Sequence, residues 1–253
     1  MSAARDAILS QIPVVILCGG SGVRLRPLTD TAPKGMVPVH GRPMLDHVVD
    51  FYRDHGARDI TLCTGYRGDV IRDHYAMPPE GITLNFSDAG ESASMLQRLW
   101  AARDHAGETS LVAYCDTMID LDIGALLASH RDSSRAATIV TAAIRNPFGV
   151  VDFADDTVGD GHAGPVSGFR EKPTFHYYIG CFLFQRRALE LITPELLALP
   201  DGEGLVGWLR ALIDAGQLHG FRHDGLQITF NTVSEHREAE QALARYYTYA
   251  ESS

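Results

Sequence analysis

The chain of 253 residues carries 22 lysines and arginines, of which only Lys34 and Lys172 are lysine. Lys34 lies in Pro33-Lys34-Gly35-Met36, and Lys172 in Arg170-Glu171-Lys172-Pro173. An ammonium on a flexible stem is a point charge that can follow a phosphate as it moves, whereas a guanidinium is a rigid fork. Two retained ammonium groups therefore point to phosphoryl chemistry, with chance survival in an arginine-rich composition as the alternative. Upstream of Lys34, the turn Cys18-Gly19-Gly20-Ser21-Gly22 follows an apolar run and precedes Arg24. Its glycines allow a triphosphate close to the backbone, its amides can converge on the phosphates, and Arg24 can neutralise their outer oxygens. The turn matches neither the GxGxxG nor the GxxxxGK[ST] pattern. A generic glycine turn would explain the three glycines, but not the arginine and the Pro33-Lys34 that follow.

Something must hold these groups together. Val14-Val15-Ile16-Leu17 reads as a strand covered on both faces, and Met44, Leu45, Val48, Val49 and Tyr52 have helical spacing that Gly56 can stop. Asp59 to Thr64 is the next strand, which completes the beta-alpha-beta order of a doubly wound sheet. A short helix near Val70, a strand from Ile82 to Phe86 and a helix through Met95 and Leu99 follow. The strand Leu111 to Cys115 then delivers Asp116, and a helix from Ile123 precedes a strand from Thr138 to Ala143. The alternation loosens over 149–168, where five glycines suggest a hairpin or long loop. Tyr177 to Phe184 is a strong strand. Helical segments interrupted by Pro194 and Pro200, a strand near Leu226 to Phe230 and a helix from about Ser234 to Tyr247 end the chain.

A chain that is 45% hydrophobic can bury a full core as one large domain or as one domain with a smaller attachment. The net charge of -10 and the absence of a basic tract argue against a polynucleotide partner, so any polyanion must be small and locally held. Cys18, Cys63, Cys115 and Cys181 are widely separated and have no metal-ligand spacing, as expected of reduced core thiols in a cytoplasmic protein. The 11 histidines show no metal-ligand spacing either. The first ten residues read as a frayed tail and not a secretion signal, and no apolar run reaches membrane-spanning length.

The run from Val14 to Val39 resembles the signature of the nucleotidyltransferases that join a nucleoside triphosphate to a sugar 1-phosphate and release pyrophosphate. Their pattern is roughly GGxGTRLxPLTxxxPKPMxxV, and this chain reads GGSGVRLRPLTDTAPKGMVPV, with Val23 for threonine and Gly35 for proline. Phe169-Arg170-Glu171-Lys172-Pro173 is similar to the family's FxEKP. The resemblance implies an α/β fold: a Rossmann-like, doubly wound mixed sheet of the GT-A-like nucleotidyltransferase type, with a small acceptor-binding β-rich insertion. One domain would span 1–253, with 1–136 mainly nucleotide-binding and 137–253 mainly acceptor-binding.

By the same resemblance, Arg24, Lys34, Asp116 and Lys172 would be the catalytic residues. Cys18, Gly19, Gly20, Ser21 and Gly22, with Gly90, Glu91 and Ser92, would bind the nucleotide. Glu171, Lys172 and Tyr178 would meet the acceptor. Mg²⁺ would sit on Asp116, a carboxylate leaving the sheet at its carboxyl edge, and on Asn231. A helix-capping role for Asn231 stays open, as does a solvated, helix-starting role for Asp120 and Asp122. The segments 51–68 and 88–95 look most like glucose-1-phosphate cytidylyltransferases, which makes transfer of CMP from CTP to a small phosphorylated acceptor the leading expectation. Uridylyl, guanylyl or thymidylyl transfer to a sugar 1-phosphate is the alternative, and a silent nucleotide-binding regulatory domain is a further class. Where glucose-1-phosphate enzymes tend to carry Asn-Gly after EKP, this chain reads Tyr177-Tyr178-Ile179-Gly180, which leaves the acceptor open. Partners would be small-molecule substrates, with no polynucleotide or membrane and with a homo-oligomer left open.

Overall fold

The computed structural model describes residues 8–154 and 164–251. Strand β1 (Val14–Leu17) is buried along its whole length, as a run with no polar face must be. After the glycine-rich turn, a short antiparallel pair, β2 (Pro38–Val39) and β3 (Arg42–Pro43), leads into helix α1 (Met44–Asp54). The apolar stripe of α1 packs Met44, Leu45, Val48, Val49 and Tyr52 into the core. Its exit passes through Gly56, whose φ of 92° suits glycine.

Alternation then continues through β4 (Asp59–Thr64), α2 (Gly68–His74), β5 (Thr83–Asp88), α3 (Met95–Ala101) and β6 (Thr109–Tyr114). At the start of α3 the Ser94 and Gln97 side chains satisfy each other's backbone N–H groups in a capping box. Next come β7 (Thr117–Ile119), α4 (Ile123–Ser133) and β8 (Ala137–Arg145). Asp122 caps α4 by accepting from the Ala125 N–H, so it is a helix-starting acid as expected. An antiparallel ribbon of β9 (Val150–Phe153) and β10 (Val166–Arg170) precedes the long β11 (Thr174–Gln185). The ribbon accounts for the described part of the glycine-rich stretch; Gly159 and Gly161 lie outside the described residues. The chain ends with α5 (Pro194–Leu197), α6 (Glu203–Asp214), β12 (Leu218–His223), β13 (Gln227–Thr229) and α7 (Val233–Glu251).

Two sequence expectations need correction. Pro194 does not interrupt a helix but opens α5 at its first turn, where the missing N–H costs nothing, and Thr193 caps it. Strand β12 has no counterpart in the sequence reading, because Leu218-His219-Gly220-Phe221-Arg222-His223 lacks a strong apolar run. It is an edge strand, half-covered, and pairs only with β8.

The main sheet has the order β12-β8-β11-β6-β1-β4-β5. Strand β1 pairs in parallel with both β4 and β6, so the strand order reverses at β1 and opens a crevice at the carboxyl ends of β1 and β6. Strand β11 runs antiparallel between β6 and β8, which makes the sheet mixed. Alternate residues of the central strands feed separate cores. Val14, Ile16, Leu111, Ala113 and Cys181 face the α1 side, while Val15, Leu17, Val112, Phe182 and Phe184 face α3 and α6. Trp208 anchors the second core, fully buried, with its ring N–H donated to the Ala188 carbonyl at 2.9 Å. The α/β doubly wound architecture with accessory β elements is the one expected. Among the described residues no helix is long and apolar enough to cross a membrane.

Candidate active site

A cavity of about 710 Å³ occupies the crevice. Its wall is built from the glycine-rich turn after β1, the ends of β6 and β11, the segment before α3, and the β13–α7 junction. The turn is pinned from beneath. Leu25 and Thr29 are fully buried, the Thr29 hydroxyl donates to the Gly22 carbonyl at 2.9 Å, and the Tyr66 N–H donates to the Gly19 carbonyl at 3.0 Å. Gly22 adopts φ 59° in close contact with Lys34: a Cβ there would lie 3.1 Å from the Lys34 Cβ. Gly35 likewise lies so close to the end of β6 that an added Cβ would be 3.1 Å from the Cys115 Sγ. Glycine in place of the family's proline thus accompanies a close approach of Lys34 to Asp116.

Lys34, Asp116, Asn231 and Arg24 converge. The Lys34 ammonium is hydrogen-bonded and ion-paired to Asp116 and donates to the Asn231 Oδ1 at 3.0 Å. Arg24 donates to the same Asn231 oxygen at 3.2 Å. Thr117 steadies the carboxylate, its hydroxyl donating to the Asp116 Oδ1 at 3.1 Å, and the Phe230 ring lies 5.6 Å from the ammonium. Lys34 and Asp116 are largely covered, with side-chain exposures of 12% and 18%. Asn231 does not cap α7 with its side chain. The Thr232 hydroxyl takes the Glu235 N–H, and the Glu235 carboxylate takes the Asn231 N–H at 2.6 Å. The amide oxygen of Asn231 is left to face the cavity cations.

Two oxygen-bearing side chains gathered on one ammonium are donors suited to a hard cation such as Mg²⁺, which takes few protein ligands and completes its shell with water and substrate phosphates. Among the described residues no group of three histidine, cysteine, aspartate or glutamate side chains could hold a metal ion by itself. Asp120, the other acid near Asp116, lies 3.2 Å from the His223 ring.

At the opposite end of the turn, Glu91 and Ser92 line the cavity, while Gly90 does not. Gly90 instead donates its N–H to the Asp88 carboxylate at 2.8 Å, which with Arg72 holds that carboxyl below its ordinary range and fixes the segment. Cys18 is also off the cavity wall. Its thiol is buried, donates to the Cys63 carbonyl, and is pushed up in pKa by burial. Glu171 and Lys172 stand exposed after the ribbon, paired at 3.7 Å and outside the cavity wall; Lys172 has φ 45°. Tyr178 lines the cavity with its neighbours Tyr177, Ile179 and Gly180.

Sequence reading missed Arg98. It lies on α3, is only 4% exposed, and reaches between two glycines of different strand ends. A Cβ added at either Gly19 or Gly65 would collide with its guanidinium. It donates to the Thr64 carbonyl at 2.6 Å and to the Glu91 carbonyl at 3.1 Å, and it lines the cavity beneath the turn. Glycine at both strand ends was the only available signal, and glycine there also reads as a plain turn.

Comparison with known proteins agrees with this geometry. The family model described as "Nucleotidyl transferase" matches residues 13–219. A glucose-1-phosphate cytidylyltransferase of Salmonella typhimurium is 28% identical over 251 residues, covering 87% of this chain and 91% of that protein. A mannose-1-phosphate guanyltransferase of Gibberella zeae is 28% identical over 225 residues, covering 83% and 58%. Among solved structures, a UTP-bound UGPase from Acinetobacter baumannii superposes with a TM-score of 0.67 at 17% identity, covering 92% of this chain and 93% of that one, and so shares the fold. With its glycine-rich turn, Lys34 and Asp116 gathered at the switch point and the family model spanning most of its length, the chain belongs to the nucleotidyl transferase family.

Proposed function

We propose that this protein transfers CMP from CTP to a small phosphorylated acceptor and releases pyrophosphate. The coarser statement, nucleotidyl transfer from a nucleoside triphosphate to a sugar or other small phosphate, follows from family membership. The observation that carries the reading is the convergence of Lys34, Arg24, Asp116 and Asn231 beneath the glycine-rich turn. An acceptor phosphate oxygen attacks the α-phosphorus, a new P–O bond forms, and the bond to the bridging oxygen breaks so that pyrophosphate departs with its electron pair. A phosphate dianion is already a nucleophile, so no general base is needed and the gain comes from alignment and positive charge.

Arg24 and the turn amides orient the triphosphate, Lys34 neutralises charge at the α and β phosphates, and Gly90, Glu91 and Ser92 shape the base end. Asp116 and Asn231 would hold Mg²⁺, which would supply neutralisation of phosphate charge. Residues 1–136 serve mainly the nucleotide and 137–253 mainly the acceptor. Lys172 receives the acceptor phosphate together with Glu171. A non-glycine residue at positive φ is a strained conformation of the kind stored at binding sites, and the exposed Lys172 ammonium has only Glu171 as an ion-pair partner among the described residues.

CTP is supported by the likeness of 51–68 and 88–95 to cytidylyltransferases and by the Salmonella relative. The guanyltransferase relative and others named for uridylyl transfer support GTP, UTP or TTP with a sugar 1-phosphate as the second reading. The test is pyrophosphate release with Mg²⁺, each of the four nucleotides and a panel of phosphorylated acceptors, run on wild type and Lys172→Ala. A silent binding domain would release none with any pair while still binding nucleotide. A Lys172→Ala variant with unchanged acceptor KM would remove that residue from the site.

A further inference from the structure

The cavity is polarised along its length. At one end lie the glycine-rich turn, Arg24 and Lys34; at the other, Tyr114 and Tyr178 meet edge to face, ring centroids 5.9 Å apart and planes at 90°, to form an aromatic corner. The Tyr178 hydroxyl is shielded from solvent, so the part of that side chain meeting the cavity is ring. Tyr177 joins the same wall, its hydroxyl fixed by donation to the Gln227 Oε1 at 2.9 Å, and Ile179 adds only carbon.

Asp201 lines the same cavity and lies near enough to Tyr114 for its charge to act on that side chain. Its Oδ1 accepts from the Met95 N–H at 2.8 Å and the Gly202 N–H at 3.1 Å, which fixes the carboxylate at the start of α3. No basic side chain pairs with it among the described residues. Of the three basic side chains on the cavity wall, Lys34 and Arg24 point to Asp116 and Asn231, and Arg98 is held by carbonyls. Aromatic faces together with an uncompensated carboxylate form a site for a cation, because the ring quadrupole and the carboxylate both attract positive charge while the rings exclude water.

Resting on the transfer reading above, we propose that the acceptor is a short phosphate or phosphonate ester or acid bearing an ammonium group, with that ammonium seated between Tyr114, Tyr178 and Asp201. Its phosphorus end lies toward the α-phosphate that Lys34 neutralises, and its nitrogen end meets the aromatic corner.

The test measures pyrophosphate release with Mg²⁺ and each of the four nucleotides. Acceptors are phosphocholine, phosphoethanolamine, 2-aminoethylphosphonate, the neutral isostere 3,3-dimethylbutyl phosphate, and glucose and mannose 1-phosphates. At least one ammonium acceptor is expected to exceed the neutral isostere on the order of tenfold or more in kcat/KM. Asp201→Asn, whose amide oxygen can still take the Met95 and Gly202 N–H groups, should bring that ratio close to one through KM, with the melting temperature retained. Tyr178→Leu should lower the ratio in the same way. Turnover confined to sugar 1-phosphates, or a neutral isostere as good as phosphocholine, overturns this inference and leaves nucleotidyl transfer standing. A ratio unchanged by Asp201→Asn also overturns it. No release with any acceptor and any nucleotide overturns both readings.

Discussion

Gly180 is where the backbone of β11 gives way to form the acceptor end of the cavity, and replacing it with alanine tests that construction directly. Its φ is 76°, and the pairing of β11 with β8 shifts register between Tyr178 and Phe182 around it. An added Cβ would lie 2.6 Å from the Tyr114 Cδ2 and 2.8 Å from its Cγ, ring atoms fixed on the end of β6. A Cβ in the left-handed region costs about 1–2 kcal/mol, and forcing extra volume against a packed ring costs about 1–3 kcal/mol more. The expected loss is therefore about 2–5 kcal/mol. For a domain of this size that lowers the melting temperature by roughly 4–20 °C. Calorimetry should set Gly180→Ala beside Gly220→Ala in β12, where an added Cβ meets nothing within 4 Å. Gly220→Ala is expected within about 0.5 kcal/mol of wild type. A Gly180→Ala protein that melts with wild type or with Gly220→Ala would refute the account of a glycine-dependent bulge held against Tyr114.

Other expectations follow from the same contacts. Lys34→Met should lower kcat by about 10²–10³ and also destabilise the fold, because the largely covered Asp116 carboxylate loses its partner; a turnover number within tenfold of wild type would count against it. Arg98→Met leaves the Thr64 and Glu91 carbonyls without a donor, a loss of about 3–6 kcal/mol at about 1.5–3 per charge-assisted bond. It should also raise the nucleotide KM as the Glu91 segment loosens, both readable from denaturant midpoints and initial rates. All four thiols are buried, and burial raises the pKa of Cys63, Cys115 and Cys181 to about 12 and that of Cys18 well above normal. In the native protein none should react with a disulfide reagent at pH 8, while all should after denaturation. Folded-state pKa values raised above the unfolded value of about 8.5 contribute stability that is complete below that value and lost as pH climbs toward 12. The unfolding midpoint should accordingly fall over that interval; one native thiol titrating at pH 8 would contradict this.

The amino-acid order by itself determined the local elements and the identity of the reacting groups. The unbroken apolar run of β1, the helical stripe of α1 and the strand that delivers Asp116 were legible because periodicity and burial are local properties. The glycine turn and Pro33-Lys34 were legible because few arrangements need those residues so close together. The convergence of Lys34 with Asp116 and Asn231, 82 and 197 residues away along the chain, is a product of strand order and of close approach at Gly35, which only the tertiary structure decides. The same holds for β12, whose pattern is too weak to be seen without the partner strand beside it. An arginine in a helix reads as surface until two glycines from different strand ends make room for Arg98. Lys172 was equally conspicuous in the sequence, yet it stands outside the cavity wall, because a motif specifies a side chain but not where its ribbon rests. The aromatic corner and Asp201 come from three separate segments, so their chemistry exists only where folding brings those segments together.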